Sequence, residues 1–455
     1  MNVLFIYTNI DGTHEETYSF GLASIVAVTK RLGHTAKVIV VRSRNDYKNI
    51  YNTVRDFSPE VIAFSSVSSQ FRFVNEIVDV LKRTYPKKIM VCGGVHTTIF
   101  PKALLSSHLD GVFVGESEHA FEEFLRRVAA GRPYTGCKNF VYKSNGDIVV
   151  NPLNPLIENL DLFPFPDKTT YPYIDTVTPY GVAPFMFSRG CPFSCTYCSN
   201  HAIAKVYGEN INRPRYRSPE SSIREIEETL KLFPQIKKIW IMDDIFGIDK
   251  KWRKEFCDKY KERIKVPFDC LLRANVADEE FIKMLKEAGC YRISFGIESG
   301  NSYIRNEVMN RKMSTEQIIN AFNLCEKYGL ETNAINIIGT PGETEDMIWD
   351  TILLNRSVHP TTSGVNIFYP YRGTKLGDAC FDDGLVDEER FNTFSSERRA
   401  TVLEYPEEFK KKLEYYYNDW DILVYPNDVK RRIKHIFMKN KFVWESLRKI
   451  ARMIR

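Results

Sequence analysis

The sequence predicts an α/β chain with an N-terminal doubly wound parallel sheet of five strands, a partial (β/α) barrel of six units and a small C-terminal helical region. Three observations lead to this prediction. Short apolar runs alternate with helical patterns up to about residue 130, a proline-rich stretch interrupts them at 151–182, and the alternation restarts at about residue 183. Parallel sheets covered by helices produce such alternation. We therefore divide the chain into regions 1–137, 138–182, 183–375 and 376–455.

The first region contains apolar runs of strand length at Val3–Thr8, Ala36–Val41, Val61–Ser65, Ile89–Cys92 and Gly111–Val114. Helical patterns follow them at Gly21–Leu32, Ile50–Phe57, Phe71–Tyr85, Lys102–Ser107 and Glu118–Ala130. Sheets of this kind bind ligands at the carboxyl ends of their strands, where small residues let a large ligand approach the backbone. The candidate binding residues at these ends are Ser66, Ser68, Gly93, Gly94, His96, Gly115 and Glu116.

The second region, 138–182, begins with a hairpin pattern over residues 138–150 that turns at Asn145-Gly146. Its remainder is rich in proline and in apolar residues, which predicts an extended linker packed between domains. The third region then predicts six barrel strands, at 184–188, 237–242, 267–272, 291–296, 333–338 and 363–369. Sites in such barrels lie at the C-terminal ends of the strands.

The first barrel strand is followed by Cys191, Cys195 and Cys198 in the spacing C-x3-C-x2-C. Three thiolates can hold one face of an iron–sulfur cluster and are one short of the four that close an ordinary [4Fe–4S] site, so one iron stays open. A structural zinc site is the alternative, with His201 as the nearest fourth ligand, but no second C-x2-C pair is present. Three buried structural cysteines are the remaining interpretation.

Other barrel strand ends also carry candidate ligands. Asp243-Asp244 can accept hydrogen bonds from an ammonium group, although one of them could instead cap a helix. Glu298, before Ser299, can bind a ribose diol or form a buried salt bridge. Gly339 allows a close ligand approach or simply forms a turn in which Thr340 or Glu343 caps the next helix.

Cations near these ends could pair with a ligand carboxylate. They are Arg273, Arg311 and Lys312. After the sixth strand, Tyr369, Tyr371 and Arg372 could line a substrate pocket or close the barrel.

The cysteine spacing, with the aromatic Tyr197 before the third cysteine, resembles the radical S-adenosylmethionine (SAM) enzymes. Residues 1–375 as a whole resemble their cobalamin-binding subgroup, which includes the anaerobic bacteriochlorophyll ring cyclase and many methyltransferases. The resemblance implies a [4Fe–4S] cluster on the three cysteines, SAM on its open iron, and cobalamin on the N-terminal domain. It places the SAM amino group at Asp243 or Asp244, the ribose at Glu298, and the adenine beside the strand that ends at Gly339.

One departure from the family concerns the lower axial ligand of cobalamin. Members that supply a histidine carry Asp-x-His-x-x-Gly, whereas Asp11-Gly12-Thr13-His14 has one residue too many between Asp and His. A histidine-ligated cobalamin is therefore unsupported, and His14 and His96 stay candidates for contact only.

The resemblance implies an enzyme that cleaves SAM to a 5'-deoxyadenosyl radical and uses cobalamin to methylate an unactivated carbon. A cyclase, dehydratase or epimerase without methyl transfer is the alternative, and a non-catalytic iron–sulfur sensor or scaffold is a weaker one. The expected partners are a small-molecule substrate and an electron donor such as flavodoxin or ferredoxin.

Composition and charge fit a globular chain, with 43% hydrophobic and 27% charged residues and ten cysteines that form no disulfide framework. We expect a cytoplasmic protein without a signal peptide. Residues 429–455 carry ten Lys and Arg and the single acid Glu445, while the rest is near neutral and gives no sign of nucleic-acid binding. This basic amphipathic pattern predicts a helix that lies on an anionic membrane, holds an acidic or lipid-like substrate, or packs on the barrel with a solvated face.

Overall fold

The computed structural model describes residues 1–12, 18–170, 173, 177, 181–208, 213–394 and 397–439. The described chain divides into two compact units. The first comprises Met1–Leu271, Met284–Tyr291 and Pro370–Glu397. The second comprises the described parts of Leu272–Lys283, Arg292–Tyr369 and Arg398–Arg455. His14 lies outside the described residues.

The first sheet has the strand order β2-β1-β3-β4-β5-β6-β7. Its strands are β1 (Asn2–Thr8), β2 (Thr35–Val41), β3 (Val61–Ser65), β4 (Ile89–Gly93), β5 (Gly111–Phe113), β6 (Phe140–Ser144) and β7 (Asp147–Val150). The first five are parallel, as the sequence predicts, and β6 and β7 are antiparallel. The predicted hairpin at Asn145-Gly146 therefore extends this sheet to seven strands and covers the edge of the short strand β5, which would otherwise present unpaired backbone groups.

Helices cover both faces of this sheet. They are α1 (Phe20–Arg31), α2 (Tyr47–Phe57), α3 (Phe71–Thr84), α4 (Val95–Ile99) and α5 (Glu118–Ala129). One core joins the strand residues Leu4, Ile62 and Phe64 to Val74 and Ile77 of α3, all buried. The sequence did not predict α4, and the predicted helix at 102–107 is a 3-10 helix, Pro101–Ser106.

The second sheet has six strands in the order β15-β14-β13-β12-β11-β8 and forms a curled parallel half-barrel. Its strands are β8 (Val182–Phe185), β11 (Lys238–Ile241), β12 (Phe268–Leu272), β13 (Cys290–Glu298), β14 (Glu331–Ile338) and β15 (Thr362–Ile367). The predicted six-unit barrel is confirmed. A small ladder of β9 (Ser188–Arg189) and β10 (Arg215–Tyr216) is additional, because two residues are too short a run to show a strand pattern.

The remaining helices are α6 (Ser199–Val206), α7 (Pro219–Leu232), α8 (Lys250–Arg263), α9 (Glu279–Ala288), α10 (Thr315–Lys327), α11 (Glu345–Val358), α12 (Lys375–Asp382), α13 (Glu388–Thr393), α14 (Glu407–Val424) and α15 (Val429–Lys439). Side-chain caps begin α7, α8, α10, α12 and α13, and at α10 Ser314 and Gln317 form a capping box. None of the helices in the described ranges is both long enough and apolar enough to span a bilayer.

Candidate cofactor and active site

The three cysteines lie on one loop of the first unit, between β9 and α6. Gly190 begins the loop with φ of +93°, a conformation that glycine adopts without strain. The loop then turns so that Cys198 N donates to Cys195 O at 3.2 Å, and Cys198 caps α6. Burial raises the pKa of the Cys198 thiol to about 12, with smaller contributions from Asp244, Cys195 and Cys191. The loop therefore brings the three thiols close to one another and to one carboxylate.

The donor set distinguishes between the metals considered for this loop. Within the described ranges, no group of three or more His, Cys, Asp or Glu side chains is arranged to hold a single ion. A structural zinc site is usually closed by four ligands, and this loop supplies three cysteines. A polynuclear cluster spreads its thiolates over several irons, so three thiols without a fourth fit an iron–sulfur cluster with one open iron.

A cavity of about 500 Å³ in the first unit extends from the carboxyl ends of the first sheet to this loop. Five predicted site residues from the two regions line it together with Asp244: Gly93, Gly94, Gly115, Glu116 and Cys191. The structure therefore brings four of the seven N-terminal candidates and the cysteine loop to one space. Asn200 and Tyr207 of the α6 region, which the sequence analysis did not single out, also line it.

The inner part of the cavity is apolar and lies between the sheet and the helices α1 and α5. The residues that line it are Phe5, Phe20, Leu22, Ile25, Ala63, Val91, Phe113 and Phe121. A Cβ on Gly93 would meet no atom closer than 3.8 Å, so the space beside it is open. An apolar interior with a glycine-lined polar mouth fits a large cofactor that has both an apolar and a polar part.

Asp243 and Asp244 have different surroundings. The Asp243 carboxylate is buried and accepts from the backbone N–H of Phe187 at 2.7 Å and of Ser188 at 3.1 Å, and burial raises its pKa to about 6. Asp244 lines the cavity, and hydrogen bonds from Asn200 and from the Gly190 backbone partly offset the effect of burial that raises its pKa. The geometry therefore favours Asp244 as the carboxylate that faces a ligand.

Glu116 and Glu118 are held by arginines of the small β9–β10 ladder. Arg215 donates to Glu116 through Nη1 at 2.9 Å and Nη2 at 2.5 Å, and Arg189 donates to Glu118. The Tyr207 hydroxyl oxygen accepts from the backbone N–H of Glu116 at 2.5 Å. The predicted binding role of Glu116 thus coexists with an ion pair that fixes its carboxylate at the cavity wall.

In the second unit, Glu298 ends β13 in a left-handed conformation with φ of +64°. The strand register shifts between Gly296 and Glu298, and Arg311 Nη1 donates to Glu298 Oε1 at 3.2 Å. A non-glycine residue held at positive φ stores strain, and such residues cluster at functional sites. Both predicted interpretations of Glu298 stay open, because the buried salt bridge is present and the strained backbone is typical of a binding site.

Three other predicted contacts lie in the second unit, and all three are in contact with or buried by the protein itself. Ser299 is buried, and its Oγ accepts from Asn301 N at 3.2 Å. Gly339 has φ of +75°, and a Cβ there would lie 3.0 Å from Leu413 of α14. The close approach that this glycine allows is therefore made by the Leu413 side chain. Arg273 is buried at the end of β12.

Three N-terminal candidates do not line the large cavity. Ser66 is buried and its carbonyl accepts from His96 N at 3.3 Å. Ser68 and His96 line a separate cavity of about 270 Å³ in the same unit, with Ser68 Oγ 3.1 Å from His96 Nδ1. Burial lowers the pKa of His96 to about 4, so the imidazole is neutral. Arg372 also lines this second cavity, stacked on Phe381.

Four arginines that were not predicted as site residues line the large cavity: Arg189, Arg213, Arg215 and Arg217. The sequence does contain a pattern that could have shown them, because Arg213, Arg215 and Arg217 are two residues apart. Side chains with this spacing lie on one face of a strand. The two-residue ladder was too short for the pattern to be interpreted as a strand.

The sequence matches two family models. They are the Radical SAM superfamily over residues 185–354 and the B12 binding domain over residues 10–125. The first match includes the three cysteines, Asp244 and Glu298, and the second includes the glycines of the cavity mouth. A radical SAM domain implies a [4Fe–4S] cluster and SAM, and a B12-binding domain supports cobalamin.

Relatives cover most of the chain. An uncharacterized methyltransferase of Pyrococcus horikoshii is 29% identical over 80% of this chain and 79% of that protein. The anaerobic magnesium-protoporphyrin IX monomethyl ester cyclase of Rubrivivax gelatinosus is 25% identical over 86% of this chain and 72% of that protein. The structure of TsrM from Kitasatospora setae, a radical S-adenosylmethionine methyltransferase, matches with a TM-score of 0.70 at 16% identity, over 84% of this chain and 76% of that one. At this identity the structural similarity establishes the fold.

Proposed function

Because the chain is a radical SAM enzyme that carries a B12-binding domain, we propose that it catalyses cobalamin-dependent methylation of an unactivated carbon. One observation carries the proposal: a single cavity is lined both by Cys191 and Asp244 of the cluster loop and by the glycines at the carboxyl ends of the first sheet. A cofactor held by the sheet would therefore face the iron–sulfur site directly. Relatives named as methyltransferases support the reaction class.

The residues divide into two groups by what they would hold. Cys191, Cys195 and Cys198 would hold the cluster, which when bound supplies the electron that cleaves SAM. Asp244, oriented by Asn200, would accept from the SAM amino group. In the second unit, Glu298 would accept from the ribose hydroxyls, and Arg311 orients its carboxylate.

The cavity walls would hold cobalamin and exclude water. Gly93 leaves open space at the mouth, whereas Ser66 lies close against Gly94 and the Tyr207 side chain lies close against Gly115. The apolar interior would take the less polar part of the cofactor. The ion pair of Glu116 with Arg215 fixes the wall between the sheet and the cysteine loop. We propose a small-molecule substrate and a reductant of the flavodoxin or ferredoxin class as partners.

The experiment is the iron and cobalt content of protein purified anaerobically from cells supplied with cobalamin. We expect about four irons and one cobalt per chain, and methylated product with a suitable substrate. The variant Gly93→Leu places a side chain in the open part of the cavity, so we expect it to lose cobalt and keep iron.

A matched control is Gly364→Leu in β15 of the second unit, where a Cβ would meet no atom within 4 Å. It should keep both metals. Iron without cobalt in the unmodified protein would overturn the methyltransferase proposal in favour of a cyclase, dehydratase or epimerase. Absence of iron would overturn the assignment of the three cysteines to an iron–sulfur cluster, and iron without cleavage of SAM would favour a non-catalytic iron–sulfur scaffold.

A further inference from the structure

We propose that α15, with the basic sequence that follows it, binds the surface of an anionic membrane. This surface is independent of the proposed methyl transfer, because it is formed by the orientation of one helix in the second unit. This helix turns its polar side toward the protein and its apolar side toward solvent, the reverse of an ordinary surface helix.

The inward side of α15 carries Arg431 and His435, which are one turn apart and therefore on one face. Arg431 Nη2 donates to Thr361 O at 2.8 Å, and its Nη1 lies 2.5 Å from Asp421 Oδ1. His435 Nε2 lies 2.7 Å from Asp419 Oδ1. Polar and charged contacts thus attach the helix to the rest of the unit.

The outward side carries four large apolar side chains. The exposed fractions are 67% for Val429, 50% for Ile433, 67% for Ile436 and 44% for Phe437. Their spacing of four, three and one residues places them on a single face, opposite Arg431. Single exposed apolar residues are ordinary, but four on one face of an outer helix mark an interaction surface.

Basic residues flank this apolar face, and α15 contains no acidic residue. Lys430, Arg432 and Lys434 are exposed on its two sides. The sequence after Lys439 repeats the combination, with the apolar residues Val443, Trp444, Leu447 and Ile454 at similar spacing and with five further Lys and Arg before the C-terminal end. An apolar stripe between rows of cations is the composition of helices that lie in the headgroup region of anionic bilayers.

Charge also decides between a membrane and other occupants of this face. A second copy of the chain would bring two cationic helices together, which mutual repulsion disfavours. A nucleic acid would neutralise the cations but would leave the apolar stripe in water. An anionic membrane satisfies both features at once.

The test is flotation of the full chain with vesicles. We expect binding to phosphatidylcholine–phosphatidylglycerol vesicles, weakening with salt, and little binding to pure phosphatidylcholine. The combined variant Ile433→Ser, Ile436→Ser and Phe437→Ser should lower affinity at least about tenfold, since that much apolar surface leaves the bilayer. The variant Lys430→Gln, Arg432→Gln and Lys434→Gln should lower it roughly fivefold per residue.

A matched control is Leu353→Ser on α11, an exposed apolar residue of the same unit at 53% exposure. It should leave flotation unchanged. The three apolar side chains that are replaced are exposed, at 50% for Ile433, 67% for Ile436 and 44% for Phe437, so folding is not at risk. Iron and cobalt content should match the unmodified protein. This separates the proposal from the methyltransferase proposal.

Three results would overturn the proposal. One is failure of the full chain to float with anionic vesicles at low salt. Another is equal flotation of the apolar triple variant. The third is a dimer in sedimentation that the apolar variant dissociates, which would assign the face to a second copy of the chain.

Discussion

Asp243 and Asp244 are adjacent residues of the same type, but their side chains have different surroundings. Asp243 binds two backbone N–H groups at the end of β8, whereas Asp244 lines the cavity. Successive side chains near a strand end point in opposite directions, so only one of the two can face a ligand. The sequence predicted the pair but had no means of choosing, because the choice depends on which backbone groups lie behind the strand.

Glu343 should make stability depend on pH. Its Oε2 accepts from the N–H and the hydroxyl of Thr340, both at 3.1 Å, and burial raises its pKa from 4.5 to about 7. The folded state thus holds this proton more tightly than the unfolded chain. The resulting stability is present below about pH 4.5 and is lost as the pH rises through about 7. We expect Glu343→Gln to raise the free energy of unfolding by up to about 3 kcal/mol near pH 8.

Urea unfolding at about pH 5 and about pH 8 measures this effect. Near pH 5 the variant and the unmodified protein should differ little, because the carboxyl is protonated in the folded state. Glu414→Gln, at an exposed position on α14, controls for general charge effects and should show no such change. A difference of the same size at both pH values would contradict the expected titration.

At the scale of elements, the loop after β5 and the β9–β10 ladder are joined by buried ion pairs. Arg215 is 7% exposed and Glu116 14%, and Arg189 pairs with Glu118 beside them. Arg189 directly precedes Gly190 and Cys191, so this contact reaches the cluster loop. Breaking a buried pair leaves a charge without its partner and costs more than the pair itself contributes.

A double-mutant cycle on Glu116→Gln and Arg215→Gln should therefore be strongly non-additive. Each single variant should lower the free energy of unfolding by about 2–4 kcal/mol, and the double variant by less than the sum. The matched control is the exposed pair of Lys254 and Asp258 on α8, with side chains 67% and 64% exposed, whose coupling should stay below about 0.5 kcal/mol. Additivity at the buried pair would show that the two charges do not stabilise each other.

Elements long enough to show a repeating hydrophobic pattern were predictable from the sequence, and elements of only a few residues were not. The strands β1 to β5 and all six barrel strands lie within a few residues of their predicted positions. The helix α4 has five residues and the strands β9 and β10 have two each, which is too short for a period of 3.6 or 2 to be visible. These short elements carry His96, Arg189 and Arg215, so the elements that the sequence did not predict lie close to the site.

At the scale of the whole molecule, motif spacing predicted the chemistry better than it predicted the contacts. The cluster loop needs three thiols within eight residues, and local spacing alone shows that. The contacts of Gly339 with Leu413 and of Ser68 with His96 depend on residues far apart in the chain. No periodic pattern reports such pairs, so these residues were assigned to the cofactors from their position at strand ends.

The two cofactor sites should load independently, since different segments of the first unit supply their ligands. The triple variant Cys191→Ser, Cys195→Ser and Cys198→Ser removes every thiol of the loop, and two of the three side chains are only half-buried, so the fold should persist. We expect iron to fall to background while cobalt stays near one per chain, with an unchanged far-ultraviolet circular dichroism spectrum. The glycine-lined mouth and the apolar interior are untouched by these substitutions. Loss of cobalt together with iron, in a variant that is still folded, would mean that the cluster loop itself is part of the cobalamin site.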